Sequence, residues 1–217
     1  YYSSAFGWGN TASGNSSTAV GYTNIASGTY SSSAVGDNNT ASATGSTAVG
    51  FNNTAFNDES SAVGYDNNAS GNFSSAVGWA NTASSTASNA VGFRNNASGN
   101  FSSAFGVSNT WSGDYSIAFG SSNTGSGDYS IAVGRQNTAS GDYSIAIGYK
   151  AQASSGKMYF GIKGCQDESS QIYFDNNLGK MRLNCPSTVS FKGTDKKGIY
   201  WEERGWHIYP SYPTYST

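Results

Sequence analysis

Charge is scarce in this chain. Asp, Glu, Lys and Arg together make up 11% of its 217 residues and the net charge at pH 7 is −2, which removes the electrostatic basis for a nucleic-acid or anionic-membrane partner. Histidine occurs once, at His207, so one chain can build neither a His-dependent triad nor a His-based zinc site. Glu202 and Glu203 are adjacent, and strand alternation sends them to opposite faces, unsuited to paired-carboxylate hydrolysis. No phosphate-binding Gly loop leads into a helix. Neither an enzyme nor a cofactor is expected. Two cysteines, Cys165 and Cys185, are too few for a disulfide framework, and one bridge or two thiols both stay open. No apolar run approaches the ~18 residues that span a bilayer, and no signal-peptide pattern appears, so this segment is not expected to enter a membrane. The chain opens at Tyr1 in mid-repeat without an initiator Met, which reads as a fragment or processed product.

Residues 1–148 also lack Pro, Cys and Met, and hold two basic residues (Arg94 and Arg135) against seven acidic ones. What organises this stretch is a period. Gly7, Gly21, Gly36, Gly50, Gly64, Gly78, Gly92, Gly106, Gly120, Gly134 and Gly148 recur every fourteen residues, each with an Ala two positions before it. One interval is fifteen, because Ser31-Ser32-Ser33 carries an extra serine. A fixed period this short indicates a stacked solenoid in which each repeat buries its apolar side against its neighbours. The 5 Trp, 15 Tyr and 11 Phe separate the chain from disordered sequences of similarly low charge. Composition changes near Tyr149: residues 149–217 hold all 3 prolines, both cysteines, both methionines and nine of the eleven basic residues. Two modules are expected, a repeat shaft over 1–154 and a non-repetitive β-rich tip or cap over 155–217.

Within one repeat, Ser-x-Ala-Val-Gly and Asn-Thr-Ala-Ser-Gly alternate strictly, and turn-forming residues join them. Fourteen residues cannot hold two strands and a helix, so each repeat is a flattened coil of two strands and two turns. The expected fold is an all-β parallel roll of eleven coils, ~4.8 Å apart and about 50 Å long. Alternation places Ser, Ala and Gly on one side of the first strand, and Asn, Ala and Gly on one side of the second. The interior is therefore thin, and each alanine methyl contributes well under ~1 kcal/mol. Phe6, Val20, Val35, Val49, Val63, Val77, Val91, Phe105, Phe119, Val133 and Ile147 fall on the opposite side of the first strand. Ile117, Ile131 and Ile145 widen that column. Left free it is a long apolar stripe, which soluble monomers avoid, so the column is expected to pack against copies of itself.

Ser130-Ile131-Ala132-Val133-Gly134 and Ser144-Ile145-Ala146-Ile147-Gly148 closely resemble the Ser-Val-Ala-Ile-Gly repeat in the head domains of YadA-type trimeric autotransporter adhesins. The resemblance covers residues 1 to about 154. It implies a left-handed parallel β-roll and a side-by-side homotrimer with the bulky column at the three-fold axis. Similar repeats occur in tail fibres of phages and other viruses. Unlike the adhesins, the chain shows no neck motif, heptad stalk or membrane barrel after the roll.

Other columns admit two readings each. Aromatics follow the Gly (Trp8, Tyr22, Phe51, Tyr65, Trp79, Phe93, Tyr149) or sit nine after it (Tyr30, Phe73, Phe101, Tyr115, Tyr129, Tyr143). Both columns suit packing between coils or chains, and alternatively a ladder for stacking carbohydrate. Asp114, Asp128 and Asp142 fall in adjacent coils, where Asx-turn hydrogen bonds or a shared cation would relieve their repulsion. The Asn column from Asn10 to Asn137 suits an amide ladder. Thr/Ser rows such as Thr82-x-Ser84 suggest a hydroxyl array of the ice-binding kind, broken by Ile25, Phe56, Asn68 and Asn96.

In the tip, short strands are expected at 158–162, 171–174, 180–183, 189–191, 199–201 and 206–209, separated by turn signals. Trp201, Arg204, Trp206, Tyr209 and Tyr212 are the candidate contacts for a surface glycan or protein, because aromatic and Arg side chains concentrate binding energy. The same aromatics could instead cap the last coil, and the tail over 209–215 could reach a neighbouring subunit by strand addition or end-to-end contact. The leading functional expectation is a non-enzymatic extracellular attachment fibre, on a cell surface or a virion. A structural spacer or filament subunit and an ice-binding array are the alternatives.

Overall fold

The computed structural model of the chain describes residues 2–154, 156–161, 171–175 and 180–184. Strands β1 (Ser4–Trp8) and β2 (Thr11–Ala12) form the first coil. Numbered consecutively along the chain, the series runs to β21 (Ile145–Tyr149) and β22 (Gln152–Ala153) in the eleventh. In each coil a five-residue strand carries the Ala-x-Gly stretch, and a two-residue strand carries the second inward residue. The second strand is shorter than its alternation suggested, because the following Ser and Gly already belong to the turn. Long strands stack on long strands and short on short, in parallel through all eleven coils, and three further strands bring the long sheet to 14 against 11 in the short one. Register is strict: Ala76 pairs with Ala90, Val77 with Val91 and Gly78 with Gly92.

The long sheet continues past the last coil. Strand β23 (Lys157–Gly161) adds in parallel to β21, and β24 (Gln171–Asp175) and β25 (Lys180–Asn184) follow antiparallel. Three of the strands expected in the tip therefore form. Those expected at 189–191, 199–201 and 206–209 lie outside the described residues, as do Cys165 and Cys185.

Burial follows the alternation. From the second coil onward the Ala columns of both strands are inaccessible, together with the Asn column and the serine that precedes each long strand. The interior is filled by methyl groups, amides and hydroxyls in place of large apolar side chains. Three backbone positions per coil take positive φ. The repeat Gly lies at φ 113 to 124, a region essentially closed to other residues. The residue two after it, such as Ala80 (φ 53) or Arg94 (φ 53), and one residue in the second turn, such as Tyr115 (φ 52), are left-handed. Each turn thus closes on a single left-handed residue.

Two adjacent coils break the Ala rule. Trp111 occupies an Ala position of the short sheet and is fully buried. The residue stacked on it in the next coil is Gly125, where an added Cβ would sit 2.3 Å from the indole ring. Large and small residues therefore complement each other across one rung, although the indole Nε1–H has no hydrogen-bond partner among the described residues. Trp111→Ala should destabilise the rod by about 3 kcal/mol, and Gly125→Ala by about 1–3 kcal/mol through overpacking. The double variant recreates the Ala rungs seen at Ala83 and Ala97 and removes the unpaired N–H. It should lie within about 1 kcal/mol of the parent. Chemical denaturation of the four proteins checks this, and additive losses contradict it.

Candidate functional site

Three surfaces of the roll could carry function, and a shared framework positions them all. The Asn column supplies it. The Asn81 side-chain amide donates to Val77 O in its own coil (3.0 Å), to Gly92 O in the next coil (2.8 Å) and to Asn67 Oδ1 in the previous one (3.0 Å). Its Oδ1 accepts from both the backbone N–H and the side-chain amide of Asn95 (each 3.0 Å). The pattern repeats from Asn10 to Asn137, and the backbone N–H of Ala151 closes the ladder on Asn137 Oδ1 at 2.9 Å. The buried serines hold the other turn: the Ser74 hydroxyl donates to Gly71 O at 2.6 Å. Asn81→Asp keeps the volume but removes two N–H donors and sets a carboxylate against three oxygens in a water-free interior. The loss should be about 3–5 kcal/mol, typical of an uncompensated buried charge. Thermal melts check it; a drop below about 1 kcal/mol would contradict the ladder's role.

The first surface is the outward face of the long sheet. Val20, Val35, Val49, Val63, Val77, Val91, Phe105 and Ile147 are half-buried there, and Phe119 is 58% exposed, with Phe6 and Val133 also exposed. Ile117, Ile131 and Ile145 lie alongside in the same strands. The after-Gly aromatics share this face: Trp8 stacks on Tyr22 at 4.7 Å, and Phe51 on Tyr65 at 5.0 Å. Trp79 meets Tyr65 and Phe93 edge-on. In a single chain the bulky column forms a continuous uncovered apolar band, flanked by the after-Gly aromatics, whose own column is broken by Asp37, Ser121 and Arg135.

The second aromatic column lies on the opposite turn. Phe101, Tyr115, Tyr129 and Tyr143 stack at 4.8 to 5.1 Å with planes within 9°. Their ring faces cover one another, which leaves edges and hydroxyls outward. A sugar stacks on an open ring face, so the carbohydrate reading of this ladder fails within the stack. Beside it, the Asp carboxylates accept turn amides, but those of the preceding coil in place of the local bond of an Asx-turn. Asp128 Oδ1 accepts from the Asp114 N–H at 2.9 Å, and Asp142 Oδ1 from the Asp128 N–H at 3.0 Å. Asp114 accepts from the N–H of Asn100 at 2.7 Å.

The Thr/Ser rows lie on the outward face of the short sheet. Phe56 protrudes from the Ser row, Ser42 donates to Phe56 O at 3.2 Å, and Ser98 donates to Trp111 O at 3.0 Å. Hydroxyl protons engaged with the backbone and an exposed ring both interrupt a regular water-ordering lattice. The sequence-derived contacts Trp201, Arg204, Trp206, Tyr209 and Tyr212 lie outside the described residues.

Two parallel sheets of short strands, wound in coils of about fourteen residues, define a parallel β-solenoid. The profile of the YadA head domain repeat matches residues 1–24, 12–32, 26–53, 57–81, 83–109 and 126–151, more than half of the chain. The chain belongs to this family of non-enzymatic heads associated with extracellular adhesins. No curated protein matches it. Among the described residues no helix is long and apolar enough to cross a membrane.

Proposed function

We propose that this chain is a segment of a homotrimeric extracellular fibre that attaches its bearer, a cell or a virion, to a surface. The observation that carries the reading is the uncovered apolar band on the long sheet, from Val20 to Ile147, in a roll whose interior holds mostly Ala, Asn and Ser. Three rolls packed side by side on Val20, Val35, Val49, Val63, Val77, Val91, Phe105, Phe119, Val133 and Ile147 remove that band from water, consistent with family membership. The shaft then supplies reach and presents three tips together, which multiplies weak individual contacts.

Target recognition is assigned to the tip, through Trp201, Arg204, Trp206, Tyr209 and Tyr212, because repetition makes the shaft nearly uniform from coil to coil. The ligand class is a surface glycan or protein. Replacing Arg204, Trp206 and Tyr209 by Ala in the full chain should lower attachment to a panel of intact cells by about tenfold or more. The melting transition of the shaft should stay where it is. Unchanged attachment moves recognition to the shaft, and no attachment to any surface by the parent favours the spacer reading.

A further inference from the structure

The repeat is interrupted once, and a cleft opens there. The extra residue between Gly21 and Gly36 enters the turn after β4 (Ile25–Ala26). In later coils the residue nine after the Gly is the left-handed one, as at Phe73, Phe101, Tyr115, Tyr129 and Tyr143 (φ 52 to 57). In the longer coil Ser31 takes that role (φ 51), and Tyr30 is displaced to form an isolated bridge with Asn15. Two backbone bonds fix the displaced segment: Asn15 N–H donates to Thr29 O, and Ser31 N–H donates to Asn15 O, both at 3.1 Å. The result is an open cleft of about 430 Å³ lined by Ser13, Gly14, Asn15, Ser27, Thr29 and Tyr30. That size lies within the ~300–1,000 Å³ of small-molecule sites.

The lining has a definite chemistry. It offers three aliphatic hydroxyls, one side-chain amide and one phenol, and no charged group. Tyr30 is 57% exposed. Displaced by one position, Tyr30 stands opposite Asn15 in the coil before and Thr44 in the coil after, so no neighbouring ring stacked on it covers its faces. This is the feature the stacked column from Phe101 to Tyr143 lacks. Ser42 and Ser98, in the same row as Ser13 and Ser27, donate to carbonyls of the following coil. The hydroxyls of Ser13 and Ser27 make no hydrogen bond to another described residue and remain available to a ligand. Both serines lie on the outward side of the short sheet, away from the apolar band, so a three-chain assembly on that band leaves the cleft open.

We propose that this cleft binds a neutral saccharide, with one hexopyranose unit lying its C–H face on Tyr30. The Ser13, Ser27 and Thr29 hydroxyls and the Asn15 amide both donate and accept, matching sugar hydroxyls. The absence of any cationic side chain in the lining gives a sialic or uronic acid carboxylate no partner. The site deepens the attachment reading and rests on it, since three clefts at one level of the fibre would engage a glycan coat with avidity.

The test is an array of immobilised neutral and sialylated oligosaccharides probed with the full chain. Hits are then followed by saturation-transfer NMR with the corresponding soluble methyl glycosides. The parent should retain neutral glycans, and Tyr30→Ala should weaken retention by about tenfold or more. Deleting Ser31, which restores the fourteen-residue interval, should do the same. Thr29→Val provides a milder loss in a fold whose melt is unaltered, and Tyr129→Ala, inside the stacked column, should leave retention unchanged. Failure to retain neutral glycans, preference for sialylated ones, or retention indifferent to Tyr30→Ala, Thr29→Val and the deletion overturns the site. Cell attachment that persists alongside any of these results leaves the attachment reading standing and removes this cleft alone.

Discussion

Replacing Gly78 by Ala should destabilise the rod by about 3–5 kcal/mol and lower its melting temperature by roughly 10 °C. Gly78 sits at φ 119, and a Cβ there would lie 2.1 Å from the carbonyl oxygen of Gly92 in the next coil. That oxygen cannot retreat, because it also accepts the Asn81 amide at 2.8 Å. The same collision recurs in the column from Gly7 to Gly134, and all eleven coils carry Gly at this place. Gly71 makes the informative control. An added Cβ there would meet Ser85 O at 1.9 Å, yet its own column tolerates Ala43, Asn57 and Ser85. The turn can therefore shift where the long strand cannot. Gly71→Ala should cost less than half as much as Gly78→Ala, and equal losses would show that the strand ladder is not the rigid element.

Aspartate at Val63, Val77 and Val91 together should dissociate the proposed trimer and abolish the cooperative melt. The three valines occupy consecutive rungs of the long sheet's outward face. In a trimer their carboxylates would gather about one axis, in an environment that neither hydrates nor pairs them. The roll's own interior cannot compensate, since its buried apolar side chains are nearly all alanine. Thr82→Asp on the short sheet adds a charge to the other outward face and should change neither mass nor melt. A well-folded monomer of the triple variant would contradict the interface, and sedimentation with circular dichroism distinguishes the outcomes.

Much of this architecture is legible in the order of the residues. Period, register and the inward-facing Ala and Asn columns follow from alternation alone, because each coil repeats one environment and the chain samples it eleven times. The glycine constraint is legible in the same way, as a column without exception. Less visible is what depends on a single pair. Trp111 and Gly125 look like two separate lapses from the Ala column until stacking shows them to be one accommodation. The signal was there: a large residue followed fourteen positions later by the smallest. The left-handed turn residue was also hidden, since Phe73, Tyr115 and Arg94 are not residues that turn rules favour. Stacking between coils and the inter-coil backbone bonds impose that conformation from outside the segment. The extra serine at 31–33 was visible as a count, but the cleft it opens depends on how the turn absorbs it.

The most direct test of the account is the mass of the full chain in dilute neutral solution, measured by sedimentation equilibrium or native mass spectrometry. A three-roll shaft predicts a particle of three times the 22.6 kDa chain mass, with no folded monomer detectable on dilution. A monomer of 22.6 kDa that melts cooperatively would contradict it, because the apolar band would then be stable in water without a partner.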